Sequence, residues 1–272
     1  MIFEVHIPGS PLDEFVQNFI FFEDFRPDHL IERFLPDGNV EVIIDLLDVP
    51  EYIYDNDSFE KKQACRYGWA SGIRTAPISI PAGDGASKLV VVFRKGMAHP
   101  FFPVPMSEFS DTVVDADYFW KDDFRFLRER LLATPSVSER FRLVEEFLLS
   151  RLNSDTHVNP CVEYALDEIV RRPGYTSLSA LSLKIGYSQK HFIDLFKKHI
   201  GLTPKAYVRV MRFQNAVAAI ELADDVDWAA IALQSGYYDQ AHFINEFRAY
   251  SGFTPKEYLE KKTDTVNYVP VL

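Results

Sequence analysis

Apolar positions along this chain follow two periods, and the change from one to the other divides it. Up to about residue 120 they come in short runs closed by turn formers. Pro36-Asp37-Gly38-Asn39 is a turn signal, and the run Val40-Glu41-Val42-Ile43-Ile44-Asp45-Leu46-Leu47 behind it alternates partly with period two. Ile78-Ser79-Ile80 and Lys88-Leu89-Val90-Val91-Val92-Phe93 are further strand-like runs, separated by Pro81-Ala82-Gly83-Asp84-Gly85. Several short strands between Gly and Pro turns predict a sandwich or small barrel. Ahead of them a short helix is expected over residues 12–19. From about Lys121 the period is helical. Residues 124–132 and 138–152, parted by Thr134-Pro135-Ser136, predict two amphipathic helices in an antiparallel hairpin, with Phe141, Val144, Phe147 and Leu148 on one face of the second. Such a pair has more apolar surface than it can hide alone. Residues 153–160 are polar, end in Pro, and read as a linker. Helical runs continue from Cys161 to Lys262, and residues 263–272 read as an extended or loosely docked tail.

The strongest pattern is a duplication. Residues 177–187 (SLSALSLKIGY) match residues 227–237 (DWAAIALQSGY) at an offset of 50, and residues 188–207 (SQKHFIDLFKKHIGLTPKAY) match residues 239–258 (DQAHFINEFRAYSGFTPKEY) at an offset of 51. Each copy reads as helix, turn, helix. Ser177 and Asp227 are suited to cap a first helix, and Ser188 and Asp239 a second. Gly186, Gly236, Gly201 and Gly252 stand where the chain must turn out of a helix. Thr203-Pro204 and Thr254-Pro255 each begin another helix, with Pro at its first position. Phe192, Leu195, Phe196 and Ile200, matched by Phe243, Phe247 and Tyr250, form the inward stripe of the second helices; Trp228 is expected to anchor the first helix of copy two.

The opposite stripe carries Gln189, Lys190, Ile193 and Asp194 in one copy and Gln240, Ala241, Ile244 and Asn245 in the other. This is the chemistry of base reading in a DNA major groove. Gln and Asn pair with adenine, Lys with guanine, Asp with the cytosine amino group, while Ile and Ala meet a thymine methyl. Lys197, Lys198, Arg209, Arg212, His242 and Arg248 are the candidate phosphate contacts. A connecting helix of ~18 residues would be ~27 Å long, enough to hold two reading helices near one turn of DNA, ~34 Å, apart.

At these residues the chain resembles the AraC/XylS family of bacterial transcription regulators. The resemblance covers about residues 160–262 and rests on Gly236-Tyr237-Tyr238-Asp239-Gln240-Ala241-His242-Phe243, followed by Phe247, Gly252, Thr254-Pro255 and Tyr258, with Arg212 and Ala216 in the connecting helix. It implies a DNA-binding domain of two helix-turn-helix units joined by a long helix. One departure is Asp194, where the family often has Arg. Residues 35–41 (LPDGNVE) and Phe93-Arg94-Lys95-Gly96 are similar to sensor domains that precede such units. The family then implies a cupin-like β-barrel binding an effector, followed by dimerising helices. The expected fold class is thus multidomain α+β: residues 1–120 a β-rich sensor, 121–153 a helical hairpin for dimerisation, 160–262 the DNA-binding domain, and 263–272 a tail. The partners implied are a double-stranded DNA operator, a small-molecule effector, a second copy of the chain in a homodimer, and RNA polymerase.

Composition alters this picture in one respect. The net charge of −11 argues against DNA, but residues 1–155 carry 16 Lys+Arg against 27 Asp+Glu, and residues 156–272 carry 13 of each. The acidic excess therefore belongs to the first half. Within the second, residues 176–212 are net +6 and residues 221–258 net −5. No apolar run approaches a membrane span, no secretory signal opens the chain, and Cys65 and Cys161 suit a reducing, cytoplasmic location. No catalytic group, cofactor or metal is expected. His6, His29 and His99 lack a His-x-His pair, and His191 and His242 have no partner at ligand spacing. Phe15, Phe19, Phe21, Phe22 and Phe25 read as ordinary core ahead of an aromatic ligand pocket, and Glu41 and Asp45 as a solvated strand face ahead of polar contacts inside a barrel. A cupin-like enzyme with an accessory helical domain is the competing reading, and a ligand-independent DNA-binding regulator is a third.

Overall fold

The computed structural model describes residues 1–152, 159–174, 176–223 and 225–272, so most of the expected 153–160 linker lies outside the described residues. The short runs of the first half become β1 (Ile2–His6), β2 (Val16–Glu23), β3 (Ile31–Phe34), β4 (Glu41–Asp45), β5 (Glu51–Tyr54), β6 (Lys61–Cys65), β7 (Gly68–Ser71), β8 (Ile78–Pro81), β9 (Ser87–Phe93) and β10 (Val113–Asp115). With a late strand, β11 (Tyr268–Pro270), they form two antiparallel sheets, ordered β1-β2-β9-β4-β7-β10 and β11-β3-β8-β5-β6. The expected helix over residues 12–19 is a single 3-10 turn, Leu12–Glu14, and the rest of that stretch enters β2. Its aromatic and β-branched residues pack better on a pleated surface than on a helix.

Period two assigns the faces of the larger sheet. Phe19, Phe21, Val42, Ile44, Leu89, Val91 and Phe93 turn to one side and belong to the main core. Ile20, Phe22, Glu41, Ile43, Trp69, Lys88 and Val90 turn to the other and face the smaller sheet across a cavity. The helices α1 (Ala116–Ala133) and α2 (Val137–Leu149) cover the first side. The helical hairpin begins at Ala116 instead of Lys121, and Lys121 itself, at φ 49°, breaks α1. Both apolar stripes lie on the sheet: Phe124 packs over Gly68, Phe141 stacks near Phe19, and Leu148 is only 2% exposed. The surface that looked surplus for a dimer is therefore spent inside the molecule. Tyr118, Phe126, Leu132 and Leu149 are the hairpin's outward apolar residues instead.

The second half is α3 (Pro160–Arg171), α4 (Leu178–Ile185), α5 (Gln189–Ile200), α6 (Pro204–Glu221), α7 (Trp228–Gln234), α8 (Gln240–Ser251) and α9 (Pro255–Lys261). Local chemistry sets their limits. Ser177, Ser188, Thr203, Asp227, Asp239 and Thr254 each accept a backbone N–H of the helix they open. Gly186 and Gly252 close α4 and α8 with left-handed backbone.

The two halves share one core. Ser110 Oγ donates to the Gly201 carbonyl at 2.8 Å, and Gln214 Nε2 donates to the Pro36 carbonyl at 2.7 Å. Gly38, at φ +86° where backbone favours glycine, brings the β3–β4 turn against Met211 of α6. The tail is not loose. Residues 268–270 pair with β3 in the register Tyr268↔Phe34, Val269↔Arg33, Pro270↔Glu32, and Val269 is fully buried. Pro270 is tolerated because β11 lies at a sheet edge.

Candidate nucleic-acid interface

The helices α5 and α8 occupy equivalent places in the two repeats. Their inner stripes, Phe192, Phe196 and Ile200 against Phe243, Phe247 and Tyr250, are all buried. That fixes the outer stripes. Gln189, Lys190 and Asp194 on α5, and Gln240, Ala241 and Asn245 on α8, are exposed; Ile193 and Ile244 are half-buried at the margin. The two isoleucines are thus less open than the sequence alone indicates. Lys197 and Arg248 extend the stripes by one turn and are exposed as well.

Other cations are differently engaged. Glu246, with a side chain only 4% exposed, receives three of the expected phosphate contacts: Arg209 Nε at 3.4 Å, Arg212 Nη2 at 3.3 Å and His242 Nε2 at 3.0 Å. Arg212 also donates to the Gly236 carbonyl at 3.2 Å and lies 5.2 Å over the Tyr237 ring. Its side chain is 18% exposed, so Arg212 joins α6 to the second unit and is not free for a phosphate. Arg209 and His242 keep roughly half their surface. Lys198 lines a cleft with His99 and Lys121 and so faces the seam between the halves. Beneath it the imidazoles of His99 and His199 stack 4.3 Å apart. Burial pushes both below the ordinary histidine value, His199 to about 4, and each is further opposed by Lys198. Sequence reasoning missed Glu246 as a centre; its one signal is the four-residue step from His242, which puts both on one helix face.

A second site lies between the sheets. The cavity holds about 330 Å³ and is walled by Phe22, Phe25, Phe34, Tyr52, Trp69 and Tyr268, with Glu32, Glu41, Glu51 and Lys88 among them. Phe22 and Phe25 thus leave the ordinary core to which the sequence assigned them. Glu41 and Asp45 are not on a solvated face either. Burial raises the Glu41 carboxyl to about 8, with Asp37 adding to the effect, and raises Asp45 to about 6. Lys88 meets Glu51 at 2.5 Å. Tyr268 and Thr265 bring the end of the chain into this wall. Among the described residues no group of three or more His, Cys, Asp and Glu is arranged to hold a metal ion.

Fold and surface together define a β-rich domain with an internal cavity, joined to a duplicated helix-turn-helix domain. The matches to known proteins fall on these two parts. Residues 181–261 match the family described as a helix-turn-helix domain, and residues 4–115 match a domain of unknown function, DUF6597. An uncharacterized HTH-type transcriptional regulator of Haemophilus influenzae is 34% identical over 71 residues, 26% of this chain and 24% of the relative. The HTH-type transcriptional activator RhaS of Escherichia fergusonii is 29% identical over 108 residues, 39% of this chain and 36% of the relative. The chain thus spans between a quarter and two fifths of the length of these relatives. The structure of unsaturated fatty acid bound ToxT from Vibrio cholerae aligns over 94% of each chain with a TM-score of 0.44 and 10% identity. The two matched regions follow one another along the chain, the domain of unknown function on the β-rich half and the helix-turn-helix domain on the helical half.

Proposed function

We propose that this protein is a sequence-specific DNA-binding transcription regulator controlled by a small molecule held between its sheets. The observation that carries the reading is the repeated frame. Two helices, each capped by the residue before it and packed through the same aromatic positions, turn matching polar stripes outward. In this reading Gln189, Lys190, Ile193, Asp194, Gln240, Ala241, Ile244 and Asn245 meet base edges. Lys197 and Arg248 meet phosphates, and Arg209 and His242 do so only through the surface that Glu246 leaves open. The connecting helix α6 has 18 residues, about 27 Å at 1.5 Å per residue, which fits successive major grooves on one side of the duplex.

The reading assigns sensing to the β-domain, reading to α3–α9, and coupling to the shared core. A homodimer would draw on the outward residues Tyr118, Phe126, Leu132 and Leu149, since Leu148 is covered. RNA polymerase contact and a cytoplasmic location accompany such a role; no helix among the described residues is long and apolar enough to cross a membrane. Selection of bound duplexes from a random pool by the full chain tests the reading. The expected product is a site with two blocks of preferred bases about one helical turn apart. Recovery of unenriched sequence would overturn it.

A further inference from the structure

The cavity between the sheets is unusual in its charge. Three carboxylates line it against a single ammonium, and the walls are aromatic. Lys88 already illustrates how such a lining treats a cation: its Nζ lies 2.5 Å from Glu51 and 5.7 Å from the centre of the Trp69 ring. Glu32 is partly engaged as well, at 3.3 Å from His29 Nε2. Glu41 differs from both. It makes no hydrogen bond or ion pair with any described residue, although it is half-buried and lines the cavity. Tyr268 and Ser71 flank it there. A half-buried carboxyl without a protein partner, facing an aromatic chamber, is placed to pair with a polar group of a bound molecule.

We infer that this cavity binds a hydrophobic organic cation, an amine with an aryl or alkyl body, whose ammonium sits at Glu41 and whose body lies against Trp69, Phe34 and Tyr268. The inference rests on the reading of the cavity as the effector site and specifies the ligand's class. At about 330 Å³ the chamber is near the lower end for ligand pockets, which suits one ring system or a medium alkyl chain. Aromatic faces attract an ammonium through their quadrupole, more strongly when water is excluded. An anion would meet Glu32 and Glu51 with only Lys88 in compensation, and Lys88 is already paired with Glu51. The neighbouring charges agree. Arg74, the cation that acts on Glu41, makes no ion pair with it, while Asp37 adds negative charge. Without a ligand, burial keeps the Glu41 proton on at neutral pH; an entering ammonium displaces it and supplies the missing partner.

The test is calorimetric binding by the full chain of three matched sets: tryptamine, tryptophol and indole-3-acetate; phenethylamine, phenethyl alcohol and phenylacetate; octylamine, octanol and octanoate. In at least one set the amine should bind tenfold or more tightly than both its neutral and its anionic counterpart. Glu41→Gln should abolish that preference with an unchanged thermal unfolding profile, and Glu32→Gln should reduce it less. An alcohol or carboxylate that equals its amine in every set would overturn the proposal. So would preference retained in Glu41→Gln, or no binding by any amine up to millimolar concentration. The comparison among ligands on the unaltered chain stands even if a variant fails to fold. Because no DNA enters the measurement, its failure beside a successful duplex selection would refute the ligand class and leave the regulator reading intact.

Discussion

In the first reading helix Leu195 occupies the place that Glu246 holds in the second, Lys198 the place of Ala249, and His199 the place of Tyr250. The aromatic inner stripe is the same in both, but the bracing is not. The first unit is held by apolar contact and by its seam with the β-domain, through Gly201, His199 and Ile200. The second is held by an ionic centre within the helical domain, and it ends in the strand that closes the cavity. Duplication thus preserved the frame while the surroundings of each copy diverged. The cations left to each unit differ accordingly: apart from those turned to Glu246 or the seam, the first keeps Lys184, Lys190, Lys197 and Lys205 exposed, and the second keeps Arg248 and Lys256.

The shared frame should respond alike in both copies. Phe196→Ala and Phe247→Ala each remove a fully buried ring, and each should cost about 3–5 kcal/mol in urea unfolding. A loss under about 1 kcal/mol at one site alone would mean that the two cores are not equivalent. The ionic centre should respond only in the second copy. Glu246→Leu, which imports the first unit's residue, leaves Arg212 mostly covered without its carboxylate. The expected cost is about 3 kcal/mol, the low end for a broken buried pair, because Arg209 and His242 can hydrate. A neutral outcome would show that packing alone holds the second unit.

Asn245→Ala should lose about 1–3 kcal/mol at one preferred base pair while folding is retained. Equal selectivity of variant and parent across all single changes of the selected site would refute the assigned reading face. Acid should separate the units at the seam. The folded pKa of His199 is depressed to about 4 from an ordinary 6.5. The stability it contributes is present above about pH 6.5 and is lost as pH falls toward 4. A single such group sets a slope of at most about 1.4 kcal/mol per pH unit. His199→Phe should keep the stack on His99 and flatten the loss of urea midpoint between pH 6.5 and 5; an unchanged loss would place the acid sensitivity elsewhere.

How much of this was legible follows from the range of each interaction. The helix-turn-helix pair could be read because its determinants are local: Ser188 caps three residues ahead, and Gly252 turns the chain just behind α8. The β11 strand could not, since three residues carry little period and their partner β3 lies more than two hundred residues away. Alternation placed Glu41 and Asp45 on one face of β4, yet period two does not say which face meets water. Counting charges likewise missed that Arg212, 34 residues before Glu246, is spent on it.

That last point sharpens the expected imbalance in phosphate attraction. From sequence, residues 176–212 carry a net +6 and residues 221–258 a net −5, which assigns most of the non-specific affinity to the first unit. Three cations must be removed from the first count: Arg209 and Arg212 turn to Glu246, and Lys198 turns to the seam. The imbalance survives in Lys184, Lys190, Lys197 and Lys205, but it is smaller than net charge implies. Each phosphate contact contributes about −0.9 to the slope of log affinity against log salt. Lys197→Ala with Lys205→Ala should therefore flatten the slope by about one to two units, and Arg248→Ala by at most about one. Between 0.1 and 0.2 M salt that is only about a two- to fourfold difference in relative affinity, so full salt series are needed. If Arg248→Ala flattens the slope as much as the double lysine variant, the second unit holds the backbone as firmly as the first. The divergence between the copies would then lie in their bracing and not in their grip on DNA.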